Sequence, residues 1–432
     1  MWKITRTTLG PLFLIITCPL FAIVMWYTNT ALSGSFAALG DMFYQQGIVS
    51  TLYKICQPVI LGSPLAWLII SVYTIFQLVL MQFLPGKTFK GVVTPNGNIP
   101  VYKANGVLAF LVTIGTYCLA AFYFHLFSPA IIYDNLGSII GALNIFSLVL
   151  CAAFYLKGRY SPSSSDNGIT GNIIFDYYWG TELYPKILNL HLKKFITCRF
   201  GMMSWAVILI SYMAKQYQLY GYLSNSMIIS VALQIIYIAK FYVWETGYLC
   251  SLDMMHDRAG FYICWGCMVW VPCIYTAASM YLVLHPIMLS AMTASVIFVA
   301  GVISIFINYF ADRQRQLVRL TKGNCKIWGK KPNIIVADYQ TEQGEKKSNI
   351  LLTSGWWGIT RHFHYIPEIL AAFCWTVPAL FVNFSPYFYV VFLTVLLFDR
   401  AFRDDKRCAK KYGTYWQDYC TLVPYKIIPL II

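Results

Sequence analysis

Charge is what this chain has least of. Only 11% of its 432 residues are Asp, Glu, Lys or Arg, against about 25% in a soluble globular chain. Most of the chain must therefore face lipid or other apolar side chains. The nucleotide-binding loops of soluble proteins are missing too. No Gly-x-Gly-x-x-Gly follows a strand-like run, and no Gly-x-x-x-x-Gly-Lys-Ser/Thr occurs. With no soluble segment long enough for a Rossmann domain, any nucleotide must bind among the spans and their cytosolic ends. A cysteine framework is absent: thirteen cysteines are scattered through apolar stretches, and Cys264-Trp265-Gly266-Cys267 has no second pair. Packing, rather than zinc or redox chemistry, accounts for them. There is no internal repeat, and the one low-complexity tract is Ser161–Ser165. No cleavable signal peptide is evident, because the apolar stretch from Leu9 to about Tyr27 outruns a normal h-region and reads as a retained anchor.

What is present is apolar and aromatic: 58% hydrophobic residues, 17% Phe, Trp and Tyr. Ten hydrophobic segments stand near 9–27, 58–83, 106–127, 136–156, 201–214, 226–244, 261–284, 287–309, 366–383 and 386–398. The expected fold is an all-α polytopic membrane protein of about ten transmembrane helices, one domain over 1–432, divisible into 1–200 and 201–432. The fifth and tenth segments are short for a bilayer core of about 30 Å. A net charge of +15 could signal nucleic acid, but the basic residues lie between apolar runs, where the positive-inside rule puts them. Nucleic acid is not an expected partner. With a cytosolic N-terminus, the loops 84–105, 157–200 and 310–350 and the tail from Asp399 become cytosolic. They hold most of the Lys and Arg, while the opposite loops hold only Lys54 and Lys215.

Three stretches carry candidate chemistry. Arg315 and Arg319 are four apart, so on a helix continuing from the eighth span they share a face and can grip a phosphate; topogenic charge is the bland alternative. Leu351–Tyr365 crowds Gly, Trp, Arg and His at a membrane boundary. Its tryptophans can stack on a planar ring, and Arg361, His362 and His364 supply donors; an interfacial aromatic anchor is the alternative. In the tail, Asp404, Cys408, Lys411 and Tyr412 fall on one helical stripe, suited to an adenosine nucleotide or else to anionic lipid. Between the sixth and seventh spans, Glu245, Asp253, His256 and Asp257 cluster, with Asp253 and His256 three apart and able to pair on one helix face. Ionisable groups at membrane depth suggest function, and a structural pair is the competing reading.

These segments resemble the sterol reductase family, which includes the sterol Δ14-, Δ7- and C24(28)-reductases and the membrane part of the lamin B receptor. Gly171–Leu183 resembles the family's first signature and Leu351–Tyr365 its second. Cys198–Trp205, Met255–Gly266 and Asp312–Gln316 look closest to the plant-type Δ7 branch. The resemblance implies a ten-helix fold in which the C-terminal half, 201–432, holds NADPH and a sterol entering from the bilayer. It maps cofactor contacts onto Arg315, Arg319, Leu352, Trp357, His364, Tyr365, Asp404, Cys408, Ala409, Lys410, Lys411, Tyr412 and Tyr419. Arg315 and His364 stand where other members often carry Lys and Asn, and Tyr184-Pro185-Lys186 replaces Asn-Pro-Arg. The implied reaction is NADPH-dependent reduction of the Δ7 double bond of 5,7-diene sterols, with Δ14 or C24(28) reduction as the alternatives. Glu245, Asp253 and His256 are the candidate proton sources. Expected partners are the sterol, membrane lipids and other sterol-pathway enzymes. The expected place is the endoplasmic reticulum membrane of a eukaryote, or otherwise a cytoplasmic or inner membrane. Two other classes compete: a membrane methyltransferase, through Arg361-His362, Tyr365 and Glu368, and a non-catalytic scaffold.

Overall fold

A computed structural model describes residues 4–94, 96–340 and 344–431. Among them, nine helices are long and apolar enough to cross a bilayer: α1 (Thr5–Ala31), α2 (Pro64–Phe83), α3 (Gly106–Tyr123), α4 (Leu136–Tyr160), α5 (Leu192–Tyr220), α6 (Asn225–Val243), α7 (Phe261–Leu284), α8 (Ala291–Leu320) and α10 (Ser385–Tyr412). A shorter apolar helix, α9 (Tyr365–Ala379), lies between the last two. The chain is a multi-pass, essentially all-α membrane protein.

Two expected lengths are corrected. The fifth and tenth segments are not short. α5 begins at Leu192 and passes through a π-wound stretch, Phe195–Gly201. α10 continues past its apolar part because its charges pair along the helix, Arg403 with Asp399 at 2.7 Å and Arg407 with Asp404 at 2.5 Å. The short helix is the ninth, which ends in a 3-10 turn around Pro378 before Leu380 takes a left-handed φ of 53°. Three two-stranded antiparallel sheets were not anticipated: β1 (Lys87–Lys90) with β2 (Val101–Ala104), β3 (Lys186–Ile187) with β4 (Leu190–His191), and β5 (Ile334–Gln340) with β6 (Lys346–Leu352).

The chain forms two compact units. One comprises the chain up to Ser290 plus Pro378–Phe388, the other Ala291–Val377 plus the chain from Tyr389 onward. In the first unit α5 and α7 are innermost, with 83% and 78% of their apolar windows buried against 28% for α1. Side-chain hydrogen bonds tie them to α6: Trp205 Nε1 donates to Gln234 Oε1 at 2.8 Å, and Gln234 Nε2 to Ser279 Oγ at 2.7 Å. Such bonds hold helices together where lipid removes the hydrophobic drive.

The polar loops of this unit interlock. Lys194 Nζ donates to the Lys103 carbonyl, Lys193 Nζ to the Met254 and Asp257 carbonyls, Arg258 Nη1 to the Gly168 carbonyl, and the Ala259 amide to the Glu182 carbonyl at 3.0 Å. Gly180, at φ +93°, crosses Gly260 so closely that a Cβ on Gly260 would meet the Gly180 nitrogen at 2.2 Å. The loops 84–105, 157–191 and 245–260 therefore lie on one side of this unit. In the second unit α8 packs along α9, and the β5–β6 hairpin packs on α11 (Thr414–Leu422) through Ala337, Leu351, Trp416 and Tyr419.

Candidate functional site

α8 runs unbroken through both arginines to Leu320, so the guanidiniums follow one helix face. Arg315 lies 4.0 Å from the centroid of the Trp357 ring, and its Nη2 is 3.3 Å from Asp312 Oδ1. Arg319 directs Nε toward the Ile350 carbonyl at 3.4 Å and lies within electrostatic reach of Arg315, Tyr412, Cys408 and Tyr419. Trp357 is fixed from beneath, with Nε1 donating to the Ala311 carbonyl at 2.7 Å and Leu352, Val318 and Ile327 packed around it. Gly355, at φ +65°, permits this turn. A Cβ there would strike Gln314 Oε1 at 2.2 Å, the same oxygen that accepts from the Trp356 amide at 2.9 Å. The His364 ring sits 5.0 Å from Trp357 and 4.3 Å from Tyr365, and His362 stacks on Tyr365 at 5.2 Å and 9°.

The end of α10 supplies the other wall. Cys408 and Tyr412 are buried with Ala337, Leu351, Trp416 and Tyr419. The Tyr412 hydroxyl accepts from Asn349 Nδ2 at 2.8 Å, and Lys411 Nζ lies 4.0 Å over the Tyr339 ring. The Tyr419 hydroxyl donates to the Trp357 carbonyl at 3.4 Å, joining the two walls. Asp404 engages Arg407, while Ala409 and Lys410 are exposed on the outer side of the helix. The other eleven of the thirteen expected positions thus lie together on neighbouring surfaces of the second unit. Asn349, Gln314 and the hairpin were missed. The β-branched run Ile334-Ile335-Val336 before a polar, Gly-bearing turn was the signal that could have found the hairpin.

The acid cluster lies in the first unit and differs from expectation. The helix holding Asp253 spans only Leu252–Met255, so His256 falls outside it. His256 turns Nδ1 to Asp257 Oδ1 at 3.1 Å, its side chain 55% exposed. A single-face Asp253–His256 helical pair is therefore not what this backbone builds. Glu245 is held in a buried ion-pair network. It is buried, with Oε1 at 2.6 Å from Arg199 Nη2 and 3.3 Å from Lys194 Nζ, and Oε2 accepting from the Gly106 amide at 2.8 Å. A carboxylate shared by two buried cations anchors the elements that carry them. Asp253 is half-buried and within electrostatic reach of Lys193 and Tyr248. Burial, with Asp253 beside it, holds the Tyr248 phenol well above its ordinary value.

Comparison with known proteins places the whole chain. The model of the ergosterol biosynthesis ERG4/ERG24 family matches residues 4–432. The chain belongs to this family of sterol reductases. A 7-dehydrocholesterol reductase of Arabidopsis thaliana is 52% identical over 97% of this chain and 96% of its own length. One of Xenopus laevis is 36% identical over 84% and 80%. A Δ14-sterol reductase of Methylotuvimicrobium alcaliphilum is 34% identical over 85% and 84%. Family membership removes the methyltransferase reading.

In this sterol reductase the second signature is held by the tail. Arg361, expected to donate toward a ligand, instead gives Nη1 to the Val423 carbonyl at 2.8 Å and the Pro424 carbonyl at 3.1 Å. The amides of Arg361 and His362 bond the Tyr425 and Lys426 carbonyls at 2.9 and 2.8 Å. Asp405 gathers Arg361 at 3.6 Å, Lys426 at 3.1 Å and Trp416 Nε1 at 3.2 Å. Burial beside Arg315 and Arg361, opposed by Asp404 and Asp405, pushes the His362 imidazole down to about 4. Unfolded, it titrates near 6.5, so between these values only the unfolded chain takes the proton. Stability is complete above about 6.5 and falls as pH drops toward 4, by at most about 3 kcal/mol from this group. Melting temperatures at pH 7 and pH 4.5 should show this acid loss, and His362→Phe should reduce it. An unchanged pH dependence in that variant would remove His362 from the account.

Proposed function

We propose that the chain reduces the Δ7 double bond of 5,7-diene sterols with NADPH, in the endoplasmic reticulum membrane, taking its sterol from the bilayer and working beside other enzymes of sterol synthesis. The observation that carries this reading is 52% identity, over nearly the full length of both chains, to a plant 7-dehydrocholesterol reductase. The pocket wall of the second unit suits the dinucleotide. Two guanidiniums stand one helical turn apart where phosphate is expected, and Trp357, Tyr412 and Tyr419 offer ring faces.

When bound, the dihydronicotinamide supplies the hydride. Arg315 and Arg319 would hold the 2′-phosphate, as charge-assisted donors do. Leu352, Trp357, His364 and Tyr365 would line one wall, and Asp404, Cys408, Lys411, Tyr412 and Tyr419 the adenosine side. The chain must also place a proton on carbon 8 of the diene. The π electrons of the C7–C8 bond form the new C–H bond there, leaving an allylic cation at carbon 7 for the hydride. Glu245 is already committed to Arg199 and Lys194, and His256 is largely in water. Asp253, half-buried beside Tyr248, is the proton source this reading takes from the cluster.

Expression in a yeast strain accumulating ergosterol-type 5,7-dienes tests the reaction. Conversion to Δ5 sterols is expected. Unchanged dienes with loss of Δ14 intermediates would favour the second reading, Δ14 reduction, which the 34% identical bacterial relative keeps open. Cofactor choice is tested by Arg319→Ala. Losing one charge-assisted contact should cost about 1.5–3 kcal/mol, roughly ten- to a hundredfold in NADPH affinity, with little change for NADH. Equal weakening of both cofactors would be wrong for a 2′-phosphate contact.

A further inference from the structure

The loop after α8 has a feature that cofactor binding does not use. From Arg313 to Ala337 no Asp or Glu occurs, and Lys322, Lys326, Lys330 and Lys331 are all exposed. The loop closes in a tight turn. The Ile327 amide donates to the Lys330 carbonyl at 2.8 Å and the Lys330 amide to the Ile327 carbonyl at 3.0 Å. Trp328 and Gly329 occupy the tip with φ of 49° and 79°. A left-handed φ is natural for the glycine but strained for a tryptophan, and such strain persists where the surrounding structure holds it in place. Here it presents a large ring, 62% exposed, edge-on against Trp356 at 5.0 Å.

The height of this turn follows from its neighbours. Trp356 is tied to Gln314 and Trp357 to Ala311. Trp328, resting on Trp356, is thereby folded back to the level at which α8 exchanges exposed Phe306 and Phe310 for its first charges, Asp312 and Arg313. That is the interface between acyl chains and headgroups, where Trp and Lys are favoured. Beside the turn opens a groove of about 530 Å³ lined by Lys331, Asn333 and Thr353 on its polar part and by Pro332, Ile334 and Leu422 on its apolar part.

We propose that this turn and groove form a binding site for the headgroup phosphate of an anionic phospholipid. Lys331 and Lys330 face the phosphate, Asn333 and Thr353 supply hydrogen bonds, Leu422 and Ile334 meet the glycerol and upper acyl chain, and Trp328 sits at headgroup depth. A basic cluster beside a span, in a stretch from Arg313 to Ala337 that contains no acidic residue, recognises the anionic leaflet. The site does not depend on which sterol is reduced.

The test uses the full-length protein purified in detergent, with lipid binding read by native mass spectrometry. Phosphatidylglycerol should bind more tightly than phosphatidylcholine. Lys330→Gln with Lys331→Gln should weaken phosphatidylglycerol about fivefold per lysine, while Lys54→Gln, an exposed lysine elsewhere, should not. Equal affinity for the two lipids, or a double variant that binds like the parent, would overturn the proposal. Displacement by inorganic phosphate at concentrations comparable to the lipid's would also overturn it, in favour of a free-phosphate site. Trp328→Ala provides a second arm should the lysine variant fold poorly. It should lose bound lipid without lowering the melting temperature, and full lipid retention would count against the site.

Discussion

Glu245→Ala should destabilise the protein by about 3–5 kcal/mol, because it leaves Arg199 and Lys194 as uncompensated buried cations. The Arg199 side chain is fully buried and that of Lys194 is 2% exposed, so water cannot replace the lost carboxylate. The same change strands the Gly106 amide at the start of α3. Against a total stability of about 5–15 kcal/mol, the expected readout is poor accumulation in membranes and a much lower melting temperature. Glu245→Gln separates this role from proton donation. It keeps shape and one hydrogen-bond acceptor but loses the charge, so it should lower stability while leaving turnover per folded molecule near normal. Full stability with turnover reduced a hundredfold or more would reinstate Glu245 as the acid.

The second large effect is kinetic. Asp253→Asn nearly preserves volume while removing the ionisable carboxyl, and turnover should fall by about 10²–10⁴-fold, the usual worth of a general acid, with NADPH affinity unchanged. The Tyr248 phenol, kept protonated by burial next to Asp253, makes Tyr248→Phe the companion variant. If Asp253 were only a partner for the Lys193 region, Asp253→Asn would lower the melting temperature and spare turnover. Turnover must therefore be counted per NADPH-binding-competent enzyme, alongside thermal melts.

The two units differ in how much of them could be read before folding was considered. The shared face of Arg315 and Arg319 was legible because its geometry is local: it needed only a continuous helix, and α8 provides it. The stripe of Asp404, Cys408, Lys411 and Tyr412 was legible for the same reason. Arg361 and His362 were not. Adjacent in sequence, they separate in role because the carbonyls that occupy Arg361 arrive from Val423 and Pro424, over sixty residues away.

The multi-pass architecture, the approximate places of most spans and the family were legible in the sequence alone. Each rests on patterns that are local: apolar runs long enough for a bilayer, basic residues between them, and contiguous signatures. Tertiary structure alone decided which ionisable groups are tied into buried ion pairs. Glu245 and Asp253 are both acids in one short stretch, and nothing local distinguishes them. The distinction comes from Arg199, 46 residues away, and Gly106, 139 away, brought to Glu245 by helix packing. A carboxylate's protonation depends on the charges and water within a few ångströms, and those neighbours exist only once the helices have assembled.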